Sequence, residues 1–524
     1  MTPLQKYRIK YQPILPKSLG KNVVFKGSGS TTSLGDEKEI KAKFPKTFGR
    51  PLLHAEKGEK SVSKALKVGV VFSGGQASGG HNVITGLFDT LKMLHHESQL
   101  IGFLGGSLGI IEGKTLELSE DLLQSYRNQG GFDLIGSGRT KIETEEQLEK
   151  SIEVFNQLFL DGVVIIGGDD SNTNAAILAE FALSKGCKTK VIGVPKTIDG
   201  DLKNDFVGIS FGFHTACHTY AEMIGNIARD ASSAKKYTHF IKLMGRSASH
   251  IALECALLTQ PNMTLIGEEI AEKKMTLKEI TTSLADLIEK RGNQGNNYGV
   301  ILIPEGIIEF IFEMKVLISE LSTLLSEGKD KNALSAEAKA TFEFLPKEIA
   351  EQFLLDRDPH GNVQVSHIQT EILLSTLVKE ELKERPSFKG KFSPLHHFFG
   401  YEGRAGLPTN FDATYCYTLG HIAALLIQDG HTGYMCAASQ LAKPSSEWEV
   451  YAIPITSLMN MEVRKGKEKP VIRKALVDLD GVAYKFFERN RRKWMEEDHY
   501  LFPGPIQFEG DASFTDAPPK SLRY

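Results

Sequence analysis

Cysteine is scarce in this chain. The five present, Cys187, Cys217, Cys255, Cys416 and Cys436, are odd in number and far apart, and no two stand at CxxC spacing. Such a set argues against a disulfide framework and against a zinc site. Long hydrophobic runs are missing as well: no stretch approaches the roughly 20 apolar residues of a membrane span. The first residues mix Lys6, Lys10 and Lys17 with polar residues and prolines and contain no apolar h-region. Neither charge is in surplus, since 62 Lys+Arg face 65 Asp+Glu for a net −3. With no overall basic field to attract a nucleic-acid backbone, a polyanionic ligand must be held by locally placed cations. These absences lead us to expect a cytosolic protein with neither a membrane nor a nucleic-acid partner.

What is present is ordinary globular composition, 41% hydrophobic and 24% charged residues, in a chain of 524 that is too long for one core. Residues 1–64 are rich in Lys, Gly, Ser and Pro, and read as an extension packed on or trailing from the body. From residue 67 the pattern changes. A buried-strand signal at 68–72 runs into Ser73-Gly74-Gly75, and residues 81–94 then place Val83, Ile84, Leu87, Phe88 and Leu91 at helical spacing. The unit recurs where 161–168 leads into a helix at 174–184, and again where 191–194 runs into Pro195. Further strands are expected at 239–244, 263–266 and 298–304. Alternation of this kind predicts an α/β fold of right-handed βαβ units around a mainly parallel sheet, with ligands at the carboxyl ends of the strands. Between 307 and about 392 the rhythm lapses into helical stretches such as 309–326, whose stripe of Leu317, Leu321 and Leu324 reads as an inserted helical subdomain or a packing surface. It resumes with a helix at 415–428 and strands at 433–438 and 448–453. No repeat of 20–50 residues is visible.

Two of the glycine-rich strand ends carry chemistry. In Gly167-Gly168-Asp169-Asp170-Ser171-Asn172-Thr173-Asn174 two carboxylates stand at a strand end just before a helix. Backbone N–H groups there can cradle phosphate, and a carboxylate beside them can hold Mg²⁺, a hard cation that prefers oxygen. Helix capping by Asp or Ser is an equally open reading. Pro195-Lys196-Thr197-Ile198-Asp199-Gly200-Asp201 also follows a strand. It offers a carboxylate to take a hydroxyl proton and a lysine to neutralise a donor, although a surface Asp-Gly turn would look the same. Both loops fall on one edge of one sheet, and this favours chemistry. Two other motifs fail. The segment Gly109-Ile-Ile-Glu-Gly113-Lys114-Thr115 has Leu108 where a Walker A loop needs glycine, and no GxGxxG follows a strand. The pair His396-His397 has no further ligand at metal spacing and reads as packed or solvated.

The segments Ser73-Gly-Gly-Gln-Ala-Ser-Gly-Gly-His-Asn82, Gly167-Gly-Asp-Asp-Ser-Asn172, Pro195-Lys-Thr-Ile-Asp-Gly-Asp201, Met244-Gly-Arg246, Pro304-Glu-Gly306 and Tyr401-Glu-Gly-Arg404 stand in the order found in the phosphofructokinase superfamily. The chain resembles its long, pyrophosphate-using branch over roughly residues 65–455, and Pro503-Gly-Pro-Ile-Gln-Phe508 is similar to that branch too. The resemblance implies two Rossmann-like three-layer α/β/α domains, with a helical insertion and N- and C-terminal extensions. Residues 65–210 with about 403–455 would form the pyrophosphate- and magnesium-binding domain, and 211–306 with about 390–402 the fructose 6-phosphate domain. The insertion would span 307–390 and the extensions 1–64 and 456–524.

The resemblance also implies roles. Gly75 would touch the phosphoryl donor, Arg139 would be a cation for the transferring phosphate, and Asp169 would be the magnesium carboxylate. Asp199 would be the base for the sugar 1-hydroxyl, with Thr197 and Ile198 beside it and Asp201 supporting the loop. Met244, Gly245, Arg246 and Glu305 would line the fructose 6-phosphate pocket, and Tyr401, Glu402, Gly403 and Arg404 the part that grips its 6-phosphate, where a guanidinium fork suits phosphate. Lys236 and Tyr237 would reach a neighbouring subunit's sugar site, so a homodimer is expected. Each also has a plain structural reading, with Met244 as core filling, Glu305 and Arg246 as an ion pair, and Tyr401 as an aromatic wedge.

Asp170 and Lys196 decide the expected donor. ATP-using relatives usually have glycine at both positions, and two charged side chains there would fill the volume of a nucleotide's α-phosphate and could pair with each other. The implied reaction is reversible, magnesium-dependent transfer from pyrophosphate to fructose 6-phosphate. An ATP-dependent enzyme of the same fold, a non-catalytic regulatory subunit and a lipid or nucleotide kinase sharing only the GGD loop are the competing readings. Retention of both Asp169 and Asp199 disfavours the regulatory subunit, and the Met244, Glu305 and Arg404 set disfavours the last.

Overall fold

Runs of Val and Ile that are apolar on both faces become central parallel strands, because only burial on both sides accommodates them. The computed structural model of the protein describes all residues except 21, 59–63, 356–366, 465–466, 505–509, 517–518 and 524. Residues 505–508 of the tail motif therefore lie outside the described residues. The chain divides into two compact units, the first Met1–Ala216, Gly403–Ala475 and Gln507–Tyr524, the second Cys217–Glu402 and Leu476–Ile506.

The first passage through the first unit supplies β1 (Val23–Ser28), β2 (Leu52–Lys57), β3 (Lys67–Ser73), β4 (Gln99–Phe103), β5 (Thr115–Glu117), β6 (Ser137–Gly138), β7 (Gly162–Gly167) and β8 (Lys190–Pro195). The second unit contributes β9 (Lys236–Leu243), β10 (Met263–Thr264), β11 (Asn297–Pro304) and β12 (Pro394–Phe399). The chain then returns to the first unit for β13 (Tyr434–Ser439), β14 (Glu449–Pro454), β15 (Met459–Arg464) and β16 (Lys467–Ile472). The large sheet runs β1-β2-β14-β13-β8-β7-β3-β4-β5, with β6 beside β3. Its centre is parallel and its edges antiparallel. The second unit's sheet, β10-β11-β9-β12, is wholly parallel, and β15–β16 is a separate hairpin.

The structure settles the placement of three segments. Residues 1–64, expected packed on the body or trailing from it, are packed on it: β2 pairs antiparallel with β14, and β1 with β2, extending the large sheet. Arg8 is buried there, its guanidinium donating to Asn410 Oδ1 (2.5 Å) and the Pro408 carbonyl (2.7 Å). Within 307–390, read as an inserted helical subdomain or a packing surface, the leucine stripe is a packing surface. Leu317 and Leu321, on the helix Phe312–Ser326, are fully buried in one core with Phe240 of β9 and Ile301 of β11, where each contributes about 1.5–3 kcal/mol. The C-terminal extension is split, residues 459–472 forming the hairpin of the first unit and the helix Val482–Glu496 belonging to the second.

In the first unit the helices Gly80–Leu94 and Asn410–Gln428 approach backbone to backbone. A Cβ on Gly86 would lie 2.2 Å from the Tyr417 carbonyl oxygen, and one on Gly420 would lie 2.1 Å from that of Val83. Backbone cannot yield as a side chain can, so Gly86→Ala should destabilise the protein by about 1–3 kcal/mol, the usual range for overpacking, as read from the midpoint of urea denaturation.

Candidate active site

Strands β8, β7 and β3 lie side by side, so the turns at their carboxyl ends are neighbours. Hydrogen bonds tie these turns together. The Gly74 N–H donates to the Gly138 carbonyl (2.9 Å), Ser137 Oγ to the Gly74 carbonyl (2.8 Å), Ser171 Oγ to Ser73 Oγ (2.8 Å), and the Lys196 N–H to the Gly167 carbonyl (2.9 Å). Asn172 Nδ2 adds bonds to the carbonyls of Gly167 (2.7 Å) and Gly168 (3.0 Å).

Three cations converge on the Gly74-Gly75 turn. A Cβ at Gly75 would come within 2.4 Å of Arg404 Nη2 and 4.0 Å of Arg139 Nη2, and one at Gly74 within 3.6 Å of Lys196 Nζ. A side chain at Gly75 would push the Arg404 guanidinium aside, while Arg139 stands at ordinary contact distance. Arg404, which the resemblance assigned to the sugar phosphate, is thus placed with Gly75, Arg139 and Lys196 in the first unit. Lys196 is buried, and this pushes its ammonium down to about 8; Asp199 and Asp169 work to keep the charge, while Arg404 and Arg139 oppose it.

The carboxylates face these cations. The expected helix at 174–184 begins five residues earlier, as Asp169–Ser184, with Gly168 as its N-cap. Asp169 and Asp170 therefore sit in the first helical turn, where the macrodipole favours negative charge. Burial raises the Asp169 carboxyl above its usual range, with Lys474 opposing the rise and Asp170 and Asp201 adding to it. The sequence reading allowed Asp170 to pair with Lys196, but its ion pair is with Lys141, at 3.0 Å. Asp199 is half-buried at the turn after β8, its N–H donating to Thr197 Oγ1 (3.1 Å), and the Thr197 carbonyl accepts from Ser210 Oγ (2.9 Å). Ile198 between them is 6% exposed and anchors the loop. Asp201 is buried and lies 3.4 Å from Lys474 Nζ. Lys474 was missed, since it stands in no motif and some 270 residues along the chain from the loop it joins.

The second unit gathers the expected sugar residues. Met244 follows β9, Glu305 follows β11, and Tyr401 and Glu402 follow β12, so all stand at the carboxyl ends of adjacent parallel strands. The buried Glu305 accepts from the Gly245 N–H (3.0 Å), and its own N–H donates to the Leu243 carbonyl (2.9 Å). Arg246 is exposed; the Met244 N–H bonds the Phe399 carbonyl (2.9 Å), and the Gly400 N–H bonds Glu402 Oε2 (2.7 Å). Tyr401 is 73% exposed, so it is no core wedge. Gly403 is buried and lies in the first unit, next to Arg404.

Lys236 and Tyr237 stand at the opposite end of β9, roughly 23 Å from Met244 at about 3.3 Å per residue. They cannot serve their own chain's Met244 end. Lys235 (φ 50°) and Tyr237 (φ 74°) both occupy the left-handed region, unusual for side chains of this size. His396 bonds Ser375 Oγ (2.7 Å) and His397 Nε2 meets His239 Nδ1 (2.9 Å). Among the described residues no group of three or more His, Cys, Asp or Glu could hold a metal.

Arginines and a lysine around a glycine turn, facing carboxylates at the ends of parallel strands, define an α/β protein built to hold a phosphate-rich polyanion. The chain belongs to the phosphofructokinase family, whose model matches residues 67–427. It is 51% identical to a pyrophosphate–fructose 6-phosphate 1-phosphotransferase of Treponema pallidum, over 99% of this chain and 96% of that protein. It is 53% identical to subunit beta 2 of the enzyme of that name in Arabidopsis thaliana, over 92% and 87% respectively. The crystal structure of a pyrophosphate-dependent phosphofructokinase from Nitrosospira multiformis shares the fold, with a TM-score of 0.57 at 16% identity over 83% of this chain and 93% of that one.

The lowered position of Lys196 predicts a pH-dependent contribution. Its charge is present below pH about 8 and lost above it, so in calorimetric titration with inorganic diphosphate the affinity lost on Lys196→Met should be large at pH 7 and shrink towards pH 9. An equal loss at both values would show that Lys196 does not contribute through charge.

Proposed function

We propose that this chain transfers a phosphoryl group reversibly from pyrophosphate to the 1-hydroxyl of fructose 6-phosphate, giving fructose 1,6-bisphosphate and phosphate. The observation that carries the reading is the buried Lys196, held with Arg139 and Arg404 around the Gly74-Gly75 turn. A compact tetra-anion supplies the counter-charge that three clustered cations need, and Lys196 with Asp170 fills volume that a nucleotide would require.

Phosphoryl transfer depends mostly on positioning and charge neutralisation. Lys196, Arg139 and Arg404 bind the donor and neutralise charge that builds on the transferring group. Asp199 accepts the proton of the sugar hydroxyl, its loop held by the Thr197 and Ser210 hydrogen bonds. Met244, Gly245, Arg246, Glu305, Tyr401 and Glu402 recognise the sugar phosphate.

Asp169 is the residue to hold a magnesium ion. Burial, Asp170 and Asp201 raise this half-buried carboxylate while Lys474 opposes the rise, and Mg²⁺ commonly takes one or two carboxylates with the rest of its shell from phosphate and water. When bound, the ion would polarise the donor's phosphoryl oxygens. The protein acts as a homodimer in this reading, because Lys236 and Tyr237 lie too far from their own Met244. The dispersed free cysteines fit a cytosolic setting. Among the described residues no helix is long and apolar enough to cross a membrane.

The deciding experiment is a coupled assay of fructose 1,6-bisphosphate formation with magnesium and pyrophosphate, ATP or no donor. Turnover with pyrophosphate alone is expected, and brisk turnover with ATP but none with pyrophosphate would overturn the reading. Asp199→Ala should lower kcat by about 10²–10⁴-fold, the range for a lost general base. The double variant Asp170→Gly with Lys196→Gly should narrow the gap between the two donors in the same assay, and an unchanged ratio would remove the volume argument.

A further inference from the structure

Lys474 lies outside the segment matched by the family, residues 67–427, yet its ammonium stands 3.4 Å from Asp201 and 3.9 Å from Asp169. Its position is built by the backbone on both sides. Two residues before it, at the end of β16, the Ile472 N–H donates to Thr173 Oγ1 (3.2 Å), one turn into the helix that begins at Asp169. Next to it, the Arg473 N–H bonds the Leu458 carbonyl (2.9 Å), and the Ala475 N–H bonds the Asp201 carbonyl (2.7 Å). The hairpin β15–β16 thus lays its outgoing strand along the helix and delivers one lysine between the two acidic elements. Burial works against the charge of Lys474, and Asp169, Asp201 and Asp199 more than compensate.

Asp169, Asp199 and Asp201 would repel one another if nothing lay between them, and Asp199 is held in a loop whose one end bears Asp201. We propose that Lys474 is a positioning residue for the transfer reaction, its ammonium tying Asp201 to Asp169 so that the loop bearing Asp199 keeps its working orientation. The hairpin of the C-terminal segment is then part of the active site. This rests on the function proposed above. It predicts an effect on turnover, because Lys474 approaches the loop that carries Asp199 and Asp201.

The test uses the full-length protein and the variants Lys474→Met, Lys474→Arg, Asp201→Asn and Lys474→Met with Asp201→Asn. A displacement of about 1 Å in a reacting group can lower rate 10²-fold, so Lys474→Met should reduce kcat with diphosphate by about 10–10²-fold while the KM for fructose 6-phosphate stays within about threefold. Lys474→Arg should recover most of the loss. The double variant should be no worse than the poorer single one, as expected for residues acting through one interaction. Hydrogen exchange of the amides in residues 197–202 of the unliganded protein should be faster in Lys474→Met than in the wild type and in Lys474→Arg. Wild-type kcat in Lys474→Met, an arginine variant no better than methionine, multiplying losses in the double variant, or unchanged exchange would each overturn the proposal. Lack of wild-type turnover with diphosphate would instead fail the reading of the reaction, and the exchange measurement would still decide whether the tether exists.

Discussion

A buried ammonium is costly unless opposite charges lie close by, and the penalty after relaxation is several kcal/mol per ion. Lys196 sets that condition here. It follows β8 directly, is 6% exposed, and shares its surroundings with Asp199, Asp169, Arg404 and Arg139. The carboxylates support the lysine's charge, and the two arginines oppose it. The glycine turn after β3, the helix start after β7 and the acidic loop after β8 have to sit where they do for this balance to hold. The cross-bonds among Gly74, Gly138, Ser73, Ser171 and Gly167 keep them there.

The parallel sheets explain why such groups meet at all. Parallel strands deliver every βα turn to the same edge, so residues 75, 169 and 199 become neighbours without any sequence proximity. The second unit repeats this with Met244, Glu305 and Tyr401. After β7 the helix Asp169–Ser184 begins almost at once, whereas the acidic loop after β8 runs on to Phe213 before the next helix starts.

Much of this was readable from the residues in order. The Val and Ile runs at 68–72, 162–167 and 191–194 announce buried strands, and the glycine-rich and acidic motifs that follow them fall at adjacent strand ends. Helix starts were harder: Asp169 and Asp170 looked like loop residues because Asp, Ser and Asn suit turns and first helical turns alike. The pairing of Asp170 with Lys141, not with Lys196, depends on a surface lysine whose direction no pattern encodes. Arg404 was expected to hold phosphate, and its proximity to Gly75 follows from how residues 403–428 fold back on the first unit. Edge strands β1 and β2 went unread because their apolar runs, Val23-Val24-Phe25 and Leu52-Leu53, are too short to stand out as the central runs do.

The order of residues alone determined the α/β class, the glycine turns and the acidic loops, because local periodicity and turn chemistry act over a few residues and need no distant partner. Tertiary structure alone decided that Arg404 stands beside Gly75, that the leucines of 312–326 complete the second unit's core, and that Lys474 reaches Asp169 and Asp201. These contacts join positions tens to hundreds of residues apart. They are set by which surfaces remain to be buried and which charges remain to be neutralised once the sheets have formed.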